Sequence, residues 1–126
     1  MIGYVTLGTN DREKSAKFYD ALCSELGVGR MMENEQFIAW GKPGGGAGIG
    51  ITKPFDGNAA SVGNGVMVAF EAADQTQVQT LYDIALANGG TDEGAPGDRG
   101  GGFYAGYFRD PDGNKLNAFT MGAEQS

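Results

Sequence analysis

The segment RDPDGNKLNAFT, residues 109–120, gathers much of what could do chemistry in this chain. Asp110, Asp112 and Asn114 stand at the first, third and fifth positions of a calcium-loop pattern, but the glycine required at position six and the glutamate required at twelve are Lys115 and Met121. A tight turn is the better reading, with Pro111 presetting φ and Gly113 accepting a positive φ. Past the turn, in a run with strand alternation, stands Asn117, a neutral amide. The chain has no histidine, so Cys23 lacks a Cys–His partner and reads as a structural thiol, and hydrolytic triads are excluded. The run GGGAGIG does not keep the G-x-G-x-x-G spacing of dinucleotide folds; it reads as a loop entering a strand whose alternate glycines leave one face without side chains. Arg99, in APGDRGGG, can reach a ligand anion from a glycine-rich loop, although pairing with an acid such as Asp98 or Glu93 is the commoner fate of such a residue.

The elements that must position these groups belong to one domain expected over 1–126, since a chain of 126 residues can bury a core without staples. Apolar residues make up 40 % and charged residues 20 %, which places the chain among globular proteins, and its 23 glycines follow no collagen-like period. A net charge of −7 opposes binding to phosphate backbones, so nucleic acid is not an expected partner. No apolar run approaches the ~20 residues needed to cross a bilayer, so a soluble protein without a membrane partner is expected. A single cysteine and no Lys/Arg-led apolar opening fit a reducing cytoplasm.

Sliding the chain by 63 residues lays YVTLGTNDREKSAKFYDALC on MVAFEAADQTQVQTLYDIAL, with Val5 on Val68, Asp11 on Asp74, Tyr19 on Tyr82 and Asp20 on Asp83. Each copy opens with strand alternation and continues through a helix start, Asn10 or Asp11 in the first and Asp74 with Gln77 in the second. Ser15, Phe18, Tyr19, Leu22 and Leu26 make one apolar helix face, and Val78, Leu81, Tyr82 and Ala85 the other. Gly27 and the pair Gly89-Gly90 stop the helices. Strands are expected at 29–33, 36–41 and 47–52, then weakly at 91–93 and more firmly at 102–109 and 115–120. The unit is β-α-β-β-β used twice, an α+β fold with module 1 over 1–60 and module 2 over 62–121.

On the phrases IGYVTLGTNDREKSAKFYDAL, KPFDGNAASVGNGVMVAF, GGTDEGAPGDR and YFRDPDGNKLNAF, the chain resembles the vicinal oxygen chelate superfamily of glyoxalase I, extradiol dioxygenases and bleomycin resistance proteins. The resemblance implies paired βαβββ modules curled into a half-open barrel, often completed by dimerisation, so a homodimer is expected. It also implies metal ligands from the first and last strands of each module. Those sockets hold Tyr4 and Met67 where histidine is usual, Asn117 where glutamate is usual, and Gly50 in the fourth. None is a standard zinc or iron ligand, so no metal and no cofactor are expected.

If the fold is as implied, Tyr4, Trp40, Met67, Tyr107, Asn117 and Phe119 line the cavity, a mostly apolar set with hydroxyls and an amide, which suits a small organic molecule. Against this stands a barrel that Met67 and Phe119 simply fill. The function expected is binding of a small organic ligand without a catalytic metal, with no catalytic residue assigned. The rival is a glyoxalase I-type lyase or isomerase, similar to lactoylglutathione lyase, drawing non-standard ligands from acids such as Glu33, Glu35 or Glu71.

Overall fold

The computed structural model describes residues 1–122, and residues 123–126 of the expected domain lie outside the described residues. The elements are β1 (Tyr4–Gly8), α1 (Arg12–Glu25), β2 (Arg30–Glu33), β3 (Phe37–Trp40), β4 (Gly48–Thr52), β5 (Val68–Glu71), α2 (Gln75–Ala87), β6 (Thr91–Asp98), β7 (Tyr104–Arg109) and β8 (Lys115–Thr120). They form two open four-stranded sheets, ordered β1-β4-β3-β2 and β5-β8-β7-β6. In each sheet the opening strand runs parallel to the closing one and the other pairs are antiparallel. This is the βαβββ unit used twice, in the order the internal repeat predicts.

Both helices start where a side chain can replace a missing backbone partner. Asp11 accepts from the Lys14 amide at 3.1 Å, and Asp74 accepts from the Gln77 amide at 2.8 Å. Gln77 returns the favour one residue early, accepting from the Ala73 amide at 2.8 Å. Asn10 does not cap; its side-chain amide is bonded both ways to the backbone of Ala60 and ties down the segment between the modules. Gly27 and Gly89, with φ of 74° and 98°, take the left-handed conformation that ends each helix.

The buried residues form one apolar cluster drawn from both modules. Leu7, Ile38, Ile49 and Ile51 of the first sheet and Phe108, Leu116 and Ala118 of the second pack against Phe18, Tyr19 and Leu22 of α1 and Val78, Leu81 and Tyr82 of α2. Since strand side chains alternate, the intervening residues of both sheets point away from the helices. The departure from expectation is β6, which runs from Thr91 to Asp98 rather than ending near residue 93. Its register against β7 slips twice, around Gly94 and Gly97. It lies at a sheet edge, where Pro96 removes no ladder hydrogen bond, so the proline does not end the strand.

The D-P-D-G-N turn is a structural knot. Asp110, 2 % exposed, accepts from the backbone amides of Asp112 and Asn114 through Oδ1, each at 2.9 Å. Its Oδ2 accepts from the Tyr19 hydroxyl at 2.6 Å and from Asn114 Nδ2 at 3.0 Å. Asn114 also donates to the Gly8 carbonyl at 3.0 Å, and the Asn10 amide donates to Asp112 at 2.8 Å. The turn of the second module is thereby bonded to the first strand and helix of the first. The second repeated tyrosine does similar work within its own module, donating to Asp92 at 2.7 Å.

Burial raises the Asp110 carboxyl above the ordinary range, outweighing the lowering effect of its four donors, and burial with the neighbouring Asp110 raises the Tyr19 hydroxyl. A folded state that holds this proton more tightly than the unfolded chain contributes stability that is complete below the unfolded pKa and lost as pH rises through the folded one. Tyr19→Phe should therefore destabilise by about 1–3 kcal/mol in urea unfolding, because a buried carboxylate loses a partner. Asp110→Asn should destabilise by a similar amount and, compared across pH, its deficit against the wild type should shrink from about pH 4 upward.

Candidate functional site

The helix-free face of the second sheet carries the arrangement best suited to a ligand. Register places Asn117 between Ala69 of β5 and Tyr107 of β7, and Tyr107 in turn faces Gly94 of β6. One step along the strands, Phe119 lies between Glu71 and Ala105; one step the other way, Lys115 faces Arg109. Met67, just before β5, continues the same alternation. Asn117 is 1 % exposed, and its Oδ1 has no hydrogen-bond partner. Phe119 is stacked on Phe103, ring centroids 5.7 Å apart.

Two cations approach the Tyr107 ring, the Arg99 guanidinium at 5.2 Å and the Lys115 ammonium at 5.5 Å from its centroid. Arg99 pairs with neither Asp98 nor Glu93; its Nε donates to the Ala105 carbonyl at 3.2 Å and its Nη2 to that of Ala95 at 2.5 Å. Asp98 is engaged by the Gly100 amide, and Glu93 by Arg109 at 3.3 Å and more distantly by Lys115 at 4.0 Å. Beside these groups a cavity of about 580 Å³ opens between Arg109, Lys115, Met67 and the segment from Val62 to Val66.

Of the six expected lining residues, Met67, Tyr107, Asn117 and Phe119 share this face. Tyr4 stands on the first sheet opposite Gly48, 62 % exposed. Trp40 does not share this face: it pairs with Ile49 on the helix side, is 1 % exposed, and donates from Nε1 to Asp20 at 2.8 Å. Asp20, held as well by Arg30 at 2.7 Å, has its carboxyl pKa lowered, chiefly by Arg30. Trp40 lines an apolar groove of about 350 Å³ between the modules, together with Val5, Cys23, Leu26, Phe70 and also Met67. Burial pushes the Cys23 thiol up to about 12, which keeps it protonated and unreactive. Phe103, Arg109 and Lys115 were not anticipated, though alternation through residues 102–109 puts Phe103, Tyr107 and Arg109 on one face.

The donors for a zinc or iron centre do not assemble. Gly50 is the register equivalent of Asn117, since Thr6 faces Gly50 as Ala69 faces Asn117. The fourth socket is filled from the side: a β-carbon built on Gly50 would lie 2.8 Å from the edge of the Phe37 ring. Among the acids named as substitutes, Glu33 is ion-paired with Arg30 at 3.1 Å, while Glu35 is exposed in the β2–β3 turn. Among the described residues no group of three or more His, Cys, Asp or Glu side chains could hold a metal ion. A lone amide oxygen at Asn117 is a poor substitute for imidazole and carboxylate.

The family model described as Glyoxalase/Bleomycin resistance protein/Dioxygenase superfamily matches residues 1–118. The chain belongs to this superfamily. It is 40 % identical to a glyoxalase/bleomycin resistance protein from Albidiferax ferrireducens T118 whose crystal structure superposes with a TM-score of 0.88, covering 95 % of this chain and 98 % of that one. A glyoxalase-related enzyme from Fulvimarina pelagi is 24 % identical over 95 % of this chain and 87 % of its own, with a TM-score of 0.76. Lactoylglutathione lyase from Agrobacterium tumefaciens, 19 % identical with a TM-score of 0.70 over 95 % of this chain and 92 % of that one, shares the fold. No curated protein matches the chain. Within the glyoxalase/bleomycin resistance fold, then, this member keeps both βαβββ modules.

Because a β-carbon at position 50 would come within 2.8 Å of the Phe37 ring and 3.1 Å of the Ile38 carbonyl, Gly50→Ala should destabilise by about 1–3 kcal/mol through overpacking. Thermal or denaturant unfolding reads this directly, and Phe37→Ala introduced alongside should recover part of the loss.

Proposed function

We propose that this protein is a binding member of the superfamily which takes a small organic molecule on the helix-free face of its second sheet, without a catalytic metal. The observation that carries the reading is Asn117, an amide 1 % exposed whose oxygen has no partner. A dry, unpaired amide costs about 1–3 kcal/mol, and an apolar residue of its size would avoid that loss. A ligand bearing a hydrogen-bond donor answers it. Tyr107 and the stacked Phe103–Phe119 pair supply flat apolar surface alongside, and the adjoining cavity of about 580 Å³ lies within the range of small-molecule sites.

The proposed assembly is a homodimer. β1 and β5 each have one free edge, and Ile2, Tyr4, Val66 and Met67, at or just before their starts, are all more than 40 % exposed. Covering both edges with a second copy removes that apolar surface from water and satisfies the open edges. The lyase alternative has only the shared fold of the lactoylglutathione lyase behind it, and nothing in the arrangement of acids favours it.

Metal analysis of dialysed protein should find far less than one zinc, nickel or iron per chain; a stoichiometric ion that survives dialysis would end the metal-free reading and revive the lyase. Asn117→Leu should unfold at higher denaturant than wild type while losing ligand-induced thermal shifts across a panel of small organic molecules. Destabilisation with ligand shifts retained would mean that the amide serves the fold alone. Sedimentation equilibrium should give twice the chain mass, and Met67→Glu should weaken the association.

A further inference from the structure

We propose that the ligand of this face is an organic oxyanion, a carboxylate or phosphate on a flat apolar body, recognised by Arg99 and Lys115 around the Tyr107 ring. This rests on the binding site proposed above and specifies its chemistry. The chain carries a net charge of −7, yet the rows around Tyr107 hold three cations, Arg99, Arg109 and Lys115, and one acid among them, Glu93. Glu71 lies one row beyond, on the far side of Asn117 and opposite Phe119. Glu93 lies within 3.3 Å of the Arg109 guanidinium and 4.0 Å of Lys115, so a single carboxylate is shared by two cations. Arg99 makes no ion pair at all among the described residues.

The way Arg99 is held bears on what it can do. Carbonyls of Ala95 and Ala105 accept from Nη2 and Nε, and they fix the guanidinium over Tyr107 without neutralising it. Among the described residues Nη1 makes no hydrogen bond and keeps its donors. A guanidinium prearranged in this way loses little freedom on meeting an oxyanion. Lys115 reaches the same ring and also lines the cavity of about 580 Å³, so the anion site and the space for the body of the ligand adjoin. Asn117, across the strand pair from Tyr107, is the polar anchor beneath them and can both donate to and accept from the ligand. The charged head would thus be placed by Arg99 and Lys115, the ring by Tyr107 and Phe119, and a donor group by Asn117.

The test is a chemical-shift titration of isotope-labelled full-length protein with benzoate, phenyl phosphate and the neutral benzamide. Both anions should move the Asn117 side-chain amide and the Arg99 Nε signals saturably, with benzamide about tenfold weaker or worse, as loss of a charge-assisted contact implies. Arg99→Gln and Lys115→Gln should each weaken benzoate by about tenfold, and Arg99→Lys by less. Lys115→Gln breaks no backbone-holding bond, so it remains decisive if Arg99→Gln melts early. Benzoate binding untouched by Lys115→Gln and by folded Arg99 variants would overturn the proposal. Benzamide matching benzoate at Asn117 would overturn the anion while leaving the binding site standing; silence of the Asn117 signals towards all three would remove both.

Discussion

A buried carboxylate with four donors around it decides how the two modules sit together. Asp110 closes the β7–β8 turn through two backbone amides and receives Tyr19 from α1 and Asn114 from its own turn. Asn114 then reaches the end of β1 at Gly8. A covering of hydrocarbon alone would let α1 slide on the second sheet; directional bonds to a charge excluded from water do not. Phe18, packed beside Tyr19 with ring centroids 4.9 Å apart, meets Phe108 of β7 at 6.5 Å, so aromatic contacts follow the same line from α1 into the second module. The start of β8, and with it the height of Asn117 along the sheet, is set by this turn.

From that anchor the site follows by alternation. Lys115, Asn117 and Phe119 turn away from the helices because Leu116 and Ala118 turn toward them, both fully buried. The antiparallel register with β7 brings Arg109, Tyr107 and Ala105 opposite. Small residues, Ala69, Gly94 and Gly97, surround the larger ones on this face, where Asn117 and Ala105 are buried. Phe119 stacks on Phe103, and Met67 is 42 % exposed at the rim of the cavity of about 580 Å³.

How much of this the amino-acid sequence discloses depends on how strongly each segment alternates. The helices were legible because cap, apolar spacing and terminating glycine agree at both copies of the repeat, and β8 because KLNAFT has a clear period with a charge and an amide on one side. β3 was legible as a strand but not in its facing: in FIAW every residue is apolar, Ile38, Ala39 and Trp40 are all buried, and nothing in the composition says which side Trp40 takes. Trp40 takes the helix side, and the same ambiguity hid Phe37, which lies on the helix-free side next to Gly50. β6 was legible only at its start, since glycine and proline in TDEGAPGD speak against a strand everywhere except at a bulged edge. Arg99 was visible as a candidate, but a long side chain near two acids could not be resolved without knowing that backbone amides and Arg109 claim those acids.

The unpaired amide of Asn117 bears on what the second sheet is built for. If loss of the donors had merely left a scaffold, the position of Asn117 would be free to become apolar, as the fully buried Leu116 and Ala118 on either side of it are. Filling with carbon would gain packing and remove a desolvation penalty of about 1–3 kcal/mol. At the equivalent position of the first module no side chain is present, Gly50 lying under Phe37. The two modules thus differ at equivalent positions of one backbone plan: Gly50 lies under a ring, while Asn117 pairs across the strands with Tyr107, whose ring two cations approach. That asymmetry is difficult to account for by stability alone, and it is the reason the proposed ligand is placed on the second module rather than at the seam between the two.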